Sequence, residues 1–240
     1  SSLKTNIALS GYSLNKFDDK FMISSTIYQV TQANEDNKKI PTVLPLIEYR
    51  TGESNYKNYA LNNQFKFYNI FRDTTTDVHS QKQQKLSHKL SINNNFIKYA
   101  SNIKFSSEIH NQLFYTENKK VENEFKTSNY YRFFPIIGLK IDTPFKFRKN
   151  IFDFRYTPHV MLIGSPGLSN SNKLSNEDSS LNTFSIENNK TLNRYSGTDK
   201  LDNSKRLTYG FNIQNSSIVA DLAQTYEFTN NSNFHKEVGN

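Results

Sequence analysis

The sequence predicts an all-β chain, a segment of an antiparallel transmembrane β-barrel, and three observations carry that prediction. Apolar and polar residues alternate with period two over long runs. No segment of comparable length has a helical period, and clusters of Asn, Ser, Asp and Gln separate the runs as hairpin loops do.

Taken along the chain, the first strands are read at Leu3 to Leu14, Phe21 to Thr31 and Val43 to Arg50. Tyr59, Leu61, Phe65 and Phe67 then alternate with Asn62, Gln64 and Lys66, and Leu86, Leu90 and Ile92 with Lys85, Lys89 and Ser91. The clearest run is Ile97 to Tyr115, read as one strand: Ile97, Tyr99, Ile103, Phe105, Ile109, Leu113 and Tyr115 share one parity. Between them, Lys98, Lys104, Glu108 and His110 form a polar row. A strand over Tyr131 to Asp142 is expected to break at Pro135 and Gly138, since Pro removes a ladder donor and Gly weakens a strand.

Phe152, Phe154, Tyr156, Val160 and Leu162 alternate with Asp153, Arg155, Thr157 and His159. Leu207, Tyr209, Phe211 and Ile213, and then Ile218, Ala220, Leu222, Tyr226 and Phe228, complete about ten strands, each about as long as a tilted membrane strand with extensions. Asn34 to Lys39 and Asp73 to Gln84 read as turns. Gly164 to Lys205, rich in Ser, Asn and Asp, is the largest irregular region, either a surface loop or a linker between two strand groups.

Composition favours the barrel over a sandwich. Of 240 residues only 35% are hydrophobic and mean hydropathy is -0.73, too polar for a large conventional core. Yet 14% are aromatic, and 32 Asn stand against 8 Gly and 6 Pro, so the polarity lies in turn formers rather than in disorder-promoting repeats. A soluble sandwich packs its apolar faces on one another. A membrane barrel turns them to lipid and keeps polar rows for a wet lumen, which accounts for both the composition and the charged rows.

The absence of Cys excludes a disulfide framework or thiolate chemistry within these residues. No apolar stretch is long enough for a membrane helix. A net charge of +8 suits an anionic partner of any kind; nucleic acid is not expected, since no recognition motif accompanies the charge. With no Gly-x-Ser-x-Gly elbow and no His-Glu-x-x-His pair, no enzyme, metal centre or cofactor is expected. Asn176, Glu177 and Asp178 carry cation-ligand oxygen types, although an acidic loop of this kind more often stays solvated. Lys98, Lys104, Glu108, His110 and Arg155 are the expected lumen-facing row, and scattered cations such as Arg132 and Arg148 suit either glycolipid phosphate or a solvated wall.

Asn176-Glu177-Asp178-Ser179, then Asn193-Arg194-Tyr195-Ser196-Gly197-Thr198-Asp199-Lys200, then Arg206-Leu207-Thr208-Tyr209-Gly210 resemble the ordered motifs of the LPS-assembly outer-membrane protein, the LptD family. Leu44-Pro45-Leu46-Ile47-Glu48-Tyr49-Arg50 looks like that family's Leu-Pro strand, and Arg132-Phe133-Phe134-Pro135 like its Arg-x-x-Pro strand. Lys200 stands where the family usually has Arg, and Thr157 precedes Pro158 where it commonly has an acidic residue.

The resemblance implies that residues 1–240 are part of an outer-membrane barrel domain of a Gram-negative cell, an internal fragment with a long loop at about 164–205. It implies a non-catalytic translocon that assembles lipopolysaccharide into the outer leaflet through a barrel lumen and a lateral opening. Implied partners are lipopolysaccharide, outer-membrane lipid, a lipoprotein plug of the LptE type, and a periplasmic LPS-bridge protein acting through an amino-terminal domain. Asn176, Asp178, Arg194, Gly197 and Asp199 become the motif residues of the loop, with a structural or lumen-facing role. Another outer-membrane porin or receptor barrel, or a soluble β-sandwich binding anionic saccharide, are the alternatives.

Overall fold

The computed structural model describes residues 2–13, 18–31, 36–149, 152–168, 170–180 and 185–229. Leu14, Asn34 and Glu35, Ser169 and residues 181–184 of the long irregular region and the side chain of Phe152, on which sequence expectations fall, lie outside the described residues.

One sheet holds twelve antiparallel strands: β1 (Ser2–Tyr12), β2 (Lys20–Val30), β3 (Thr42–Arg50), β4 (Ser54–Tyr56), β5 (Tyr59–Phe71), β6 (Lys82–Lys98), β7 (Ser101–Val121), β8 (Glu124–Asp142), β9 (Phe145–Lys149), β10 (Phe152–Gly164), β11 (Lys205–Gln214) and β12 (Val219–Glu227). β4 continues the β3 side of β5, and β9 continues the β8 side of β10, so the twelve form ten rows in strict sequence order. A 3-10 turn (Asn37–Lys39) and one α-helical turn, α1 (Ile186–Asn189), complete the regular structure. Among the described residues the sheet is open, with β1 and β12 at its edges and no second sheet against it, so it is a barrel segment rather than a sandwich. Among the described residues no helix is long and apolar enough to cross a membrane.

The two faces differ as the alternation requires. Leu86, Leu113, Tyr131, Phe133, Ile137, Leu139, Leu162 and Tyr209 lie exposed on one face. Gln83, Lys85, Gln112, Thr116, Arg132, Arg206 and Thr208 are buried on the other, beneath residues 165–204. The burial is therefore inverted relative to a soluble domain. The buried apolar cluster comprises Phe134, Ile136, Met161, Ile163 and Leu201, with Leu192 packed against it.

Four features depart from the sequence expectations. First, Ile97 to Tyr115 is not one strand: β6 ends at Lys98, Tyr99 and Ala100 take positive φ (51° and 60°), and β7 begins at Ser101. This two-residue turn lacks the Asn-Gly or Asp-Gly dipeptide that usually signals it. As a result Ile97 pairs with Asn102, while Lys98 is exposed at the hairpin with the outward parity of Leu86 and Leu90, off the predicted polar row.

Second, β8 runs unbroken through Pro135 and Gly138. A Cβ on Gly138 would lie 2.5 Å from Leu192 Cδ2, so the missing side chain is where the loop seats Leu192. Third, β6 starts at Lys82, inside the predicted turn, because the loop covers Gln83 and Lys85. Fourth, the described residues of the 165–204 loop fold back onto the sheet and bury Ser175, Asn189, Arg194, Asp199, Leu201 and Asp202.

The exposed apolar face yields a direct contrast. Phe105 and Lys104 are neighbours on opposite faces of β7. Phe105→Lys places a charge on the apolar face, at a cost of up to about 2–4 kcal/mol in lipid, so heat-modifiable mobility of the membrane-assembled protein is expected to fall sharply. Lys104→Gln is expected to leave it near wild type; equal effects would exclude this orientation.

Candidate functional site

The site is the seam between residues 165–204 and the polar face of the sheet. Two short loop segments, 176–179 and 193–199, lie side by side and satisfy each other's backbone. Asp178 Oδ1 accepts from the amides of Thr198 (3.0 Å) and Asp199 (2.8 Å). Asp199 Oδ2 accepts from the amides of Glu177 (2.8 Å) and Asp178 (3.1 Å) in return. Asn176 does the same locally, accepting from the Ser179 amide and donating to its carbonyl. Asn193 Oδ1 accepts from the amides of Tyr195 and Asp202.

Close contact at this crossing sets the requirement for Gly197. A Cβ there would stand 2.1 Å from the Asp178 carbonyl oxygen, a backbone atom that cannot swing aside. The glycine is needed for the approach of two chains rather than for an unusual φ.

The knot is fastened to the sheet by buried charge. Lys85 of β6 is wholly buried; its Nζ donates to Asp199 Oδ1 (2.6 Å) and Thr198 Oγ1 (2.6 Å) and lies over the rings of Tyr68 and Phe114. Tyr68 OH donates to the same carboxyl oxygen (2.7 Å). Arg72 makes a two-pronged pair with Glu177 (3.1 and 2.7 Å) and also donates to the Ser80 and Lys39 carbonyls. Arg132 of β8 donates to Gln112, Asn170 and the Thr198 carbonyl.

Arg194 belongs to a second cluster. It grips Asp202 through Nε (2.5 Å) and Nη2 (3.0 Å) and reaches Glu227 of β12 (3.0 Å), while Arg206 of β11 donates to Asp202 (2.8 Å) and to the Thr191 carbonyl. This cluster ties the loop's return to the last two strands.

Loop electrostatics follow from these contacts. Burial pushes the Asp178 carboxyl up, but the Lys85 and Lys66 ammoniums and donors from Asp199 and Ser179 outweigh it and hold it well below the usual carboxylate range. Burial likewise raises Glu177, and the His79 imidazole 3.6 Å away together with the hydrogen bonds and charge of Arg72 bring it below its ordinary value. Burial opposes the charge on Arg194, and Asp202 and Glu227 more than offset it, so the guanidinium is raised.

Of the predicted loop residues, Asn176, Asp178, Gly197 and Asp199 meet in one knot, and Arg194 lies in the adjoining cluster. Each is engaged by other parts of the protein. Glu177, Asp178 and Asn176 are directed to different protein partners rather than converging on a cation, and among the described residues no group of three His or acidic side chains is placed to hold one.

Of the predicted polar row, Lys104 and Glu108 line one cavity on the loop face and Arg155 lines a second; Lys98 lies at the hairpin. His110 is buried and 3.1 Å from Glu108. Sequence reasoning missed Lys85, Tyr68 and Arg72 as anchors, because their partners are more than 100 residues away in the chain.

A ten-row meander of long strands, apolar outward and polar inward, with a loop folded onto the polar face, defines a barrel wall carrying its own internal loop. A family model described as LPS transport system D, LptD, matches residues 3–239, nearly the whole of this wall. The chain belongs to the LptD family. No curated protein matches it.

Two outcomes test the seam. Asp199→Asn removes the nearer of the two carboxylates that meet the buried Lys85 ammonium (2.6 Å, against 3.7 Å for Asp178), a loss of up to about 3–5 kcal/mol. In the double variant with Lys85→Met the two effects are expected to be clearly less than additive in thermal unfolding; strict additivity would show that the pair is not coupled. Gly197→Ala is expected to cost about 1–3 kcal/mol through the forced shift of the Asp178 backbone.

The pH dependence has a definite sign. Asp178 and Glu177 have folded values depressed below 3.8 and 4.5, so their stabilisation is complete above those values and is lost as pH falls through the folded ones. The unfolding midpoint should be level from neutral down to about pH 5 and drop below about pH 4. A midpoint that rises on acidification would contradict the arrangement.

Proposed function

We propose that this chain forms part of an outer-membrane translocon that assembles lipopolysaccharide into the outer leaflet. Family membership supports a role in LPS transport, and the two-faced sheet supports the route. The saccharide passes along the polar face while the acyl chains move toward the bilayer through a lateral opening. The role is that of a conduit rather than a catalyst.

Orientation follows from loop length. The segments joining β2 to β3, β5 to β6, β7 to β8 and β10 to β11 lie at one end of the meander and span residues 31–41, 72–81, 122–123 and 165–204, three of the four being ten residues or longer. The opposite end carries connections at 13–19, 57–58, 99–100, 150–151 and 215–218, none longer than seven residues. In outer-membrane barrels short turns face the periplasm and long loops face outward. The loop then plugs the wall from the cell surface, leaving the polar face near the short turns open to substrate arriving from the periplasm. A lipoprotein plug of the LptE type, a periplasmic LPS-bridge protein docked through an amino-terminal domain, and outer-membrane lipid complete the proposed assembly.

The single observation carrying this reading is the family match across the full two-faced sheet. Placing the gene under a repressible promoter and measuring antibody-accessible lipopolysaccharide on intact cells tests it. Surface lipopolysaccharide is expected to fall as the protein is depleted, and a lipoprotein is expected to co-purify with the protein. Unchanged surface lipopolysaccharide would overturn the assignment.

A further inference from the structure

A groove of about 530 Å³ opens on the apolar face of the sheet, the side away from the loop. That volume lies in the range of small-molecule sites. Phe67, Leu86, Leu113 and Tyr131 are direct cross-strand partners from β5 to β8 and form its apolar row. Gln84, Tyr115 and Asn129 form the next row toward the long-loop end, and Lys82 and Glu117 the one after it.

Polar groups around this groove are not matched to lipid tails. Lys82 holds its ammonium 5.9 Å from the centre of the Tyr115 ring and makes no ion pair among the described residues, while the Glu117 carboxylate across the ladder accepts from the Tyr115 hydroxyl (3.3 Å). The side-chain amides of Gln84 and Asn129 have no hydrogen-bond partner among the described residues. One row below the apolar row, Asn111 accepts from the Tyr131 hydroxyl (3.3 Å) and keeps its own donors free, beside His88, whose ring stacks on Phe65 (4.5 Å). Farther along the sheet the same face presents Ile137, Leu139 and Leu162.

An amide without a partner is costly in hydrocarbon, so this sector suits a lipid that carries polar groups of its own. An acyl chain fits the apolar row. Sugar hydroxyls both donate to and accept from amides, and a phosphate meets an ammonium that has no carboxylate of its own. A glycerophospholipid offers the phosphate but few hydroxyls for two amides. Tyr and Lys on this face at the long-loop end also mark the level of a membrane boundary.

We infer that the groove holds one phosphorylated, acylated saccharide lipid on the outside of the barrel wall. An acyl chain lies along Phe67, Leu86 and Leu113, the sugar meets Gln84, Tyr115 and Asn129, and the phosphate meets Lys82. Placing that lipid in the outer leaflet rests on the transport reading above. The lipid held here already belongs to the leaflet and lies across the sheet from the polar face.

Photocrosslinking of the full-length protein tests this. p-Benzoylphenylalanine replaces Tyr131 at the edge of the groove or Tyr209, a half-exposed aromatic on the same face of β11. The detergent-solubilised protein is irradiated with diphosphoryl lipid A or with dipalmitoylphosphatidylglycerol, and lipid adducts are counted by mass. With lipid A, labelling at Tyr131 is expected to saturate and to exceed that at Tyr209 at least tenfold, with phosphatidylglycerol at least fivefold weaker. Lys82→Gln is expected to lower labelling at Tyr131 at least fivefold while keeping wild-type heat-modifiable mobility. Lys98→Gln, which removes an ammonium lying 5.2 Å from the Tyr99 ring centre at the opposite end of the sheet, is expected to change nothing.

Equal labelling at Tyr131 and Tyr209 would reduce the groove to ordinary lipid contact and overturn the site. Phosphatidylglycerol labelling as strongly as lipid A would overturn the saccharide assignment, and a polypeptide adduct in place of lipid on irradiating intact cells would make the groove a protein interface. Antibody-accessible lipopolysaccharide is measured on cells in parallel. Its dependence on the protein without selective labelling at Tyr131 defeats the groove alone, whereas its independence of the protein defeats the transport reading.

Discussion

Lys85 sits at the base of the sheet's polar face with no access to water, and the rest of the loop's structure depends on how its charge is met. An ammonium removed from water is tolerated only when an opposite charge and further donors and acceptors surround it. Asp199 supplies the charge at 2.6 Å and Thr198 a hydroxyl, while Tyr68 and Phe114 present ring faces. Asp199 can do this only because its second oxygen is held by the amides of Glu177 and Asp178. Asp178 in turn holds the amides of Thr198 and Asp199. One buried cation thus fixes two loop segments, their mutual register and the need for Gly197 between them.

Such a polar interior follows from the outward commitment of the apolar residues. With Leu113, Phe133, Leu139 and Leu162 exposed on the far face, little apolar area is left to hold the loop, and the buried apolar cluster is correspondingly small. Adhesion passes to charge-assisted hydrogen bonds, which are directional. Where Leu192 packs over Gly138, the sheet has given up a side chain to admit it. The two chemistries divide the work: apolar area faces lipid, and polar pairing sets the loop.

The strands were largely legible because period-two alternation survives whichever solvent the apolar side meets. What escaped reading was punctuation. Tyr99 and Ala100 turn the chain with positive φ and no Gly or Asn to announce it, which moved Ile97 and Lys98 onto the wrong strand. Pro135 and Gly138 look like punctuation and are not, because a neighbouring strand and an inserted loop compensate for them. The motif residues of the loop were legible by resemblance, but their anchors were not. Lys85, Tyr68, Arg72 and Arg132 look like ordinary members of polar rows until the loop is laid over them, and the chain separation between partners leaves no local signal.

The placement of the motif bears on where a ligand can be met. Asn176, Glu177, Asp178, Asn193, Arg194, Gly197 and Asp199 are all engaged in holding the loop to itself or to the sheet. A side chain whose hydrogen-bonding capacity is filled by the protein can bind a passing molecule only by releasing the loop, at the cost of exposing buried charge. Hydrogen-bonding capacity to spare lies elsewhere on the polar face. Lys104, Arg155 and His159, which share a polar wall below the loop, meet that condition where the motif residues do not. The motif builds the ceiling, and the less conspicuous residues beneath it keep polar groups that the loop does not use.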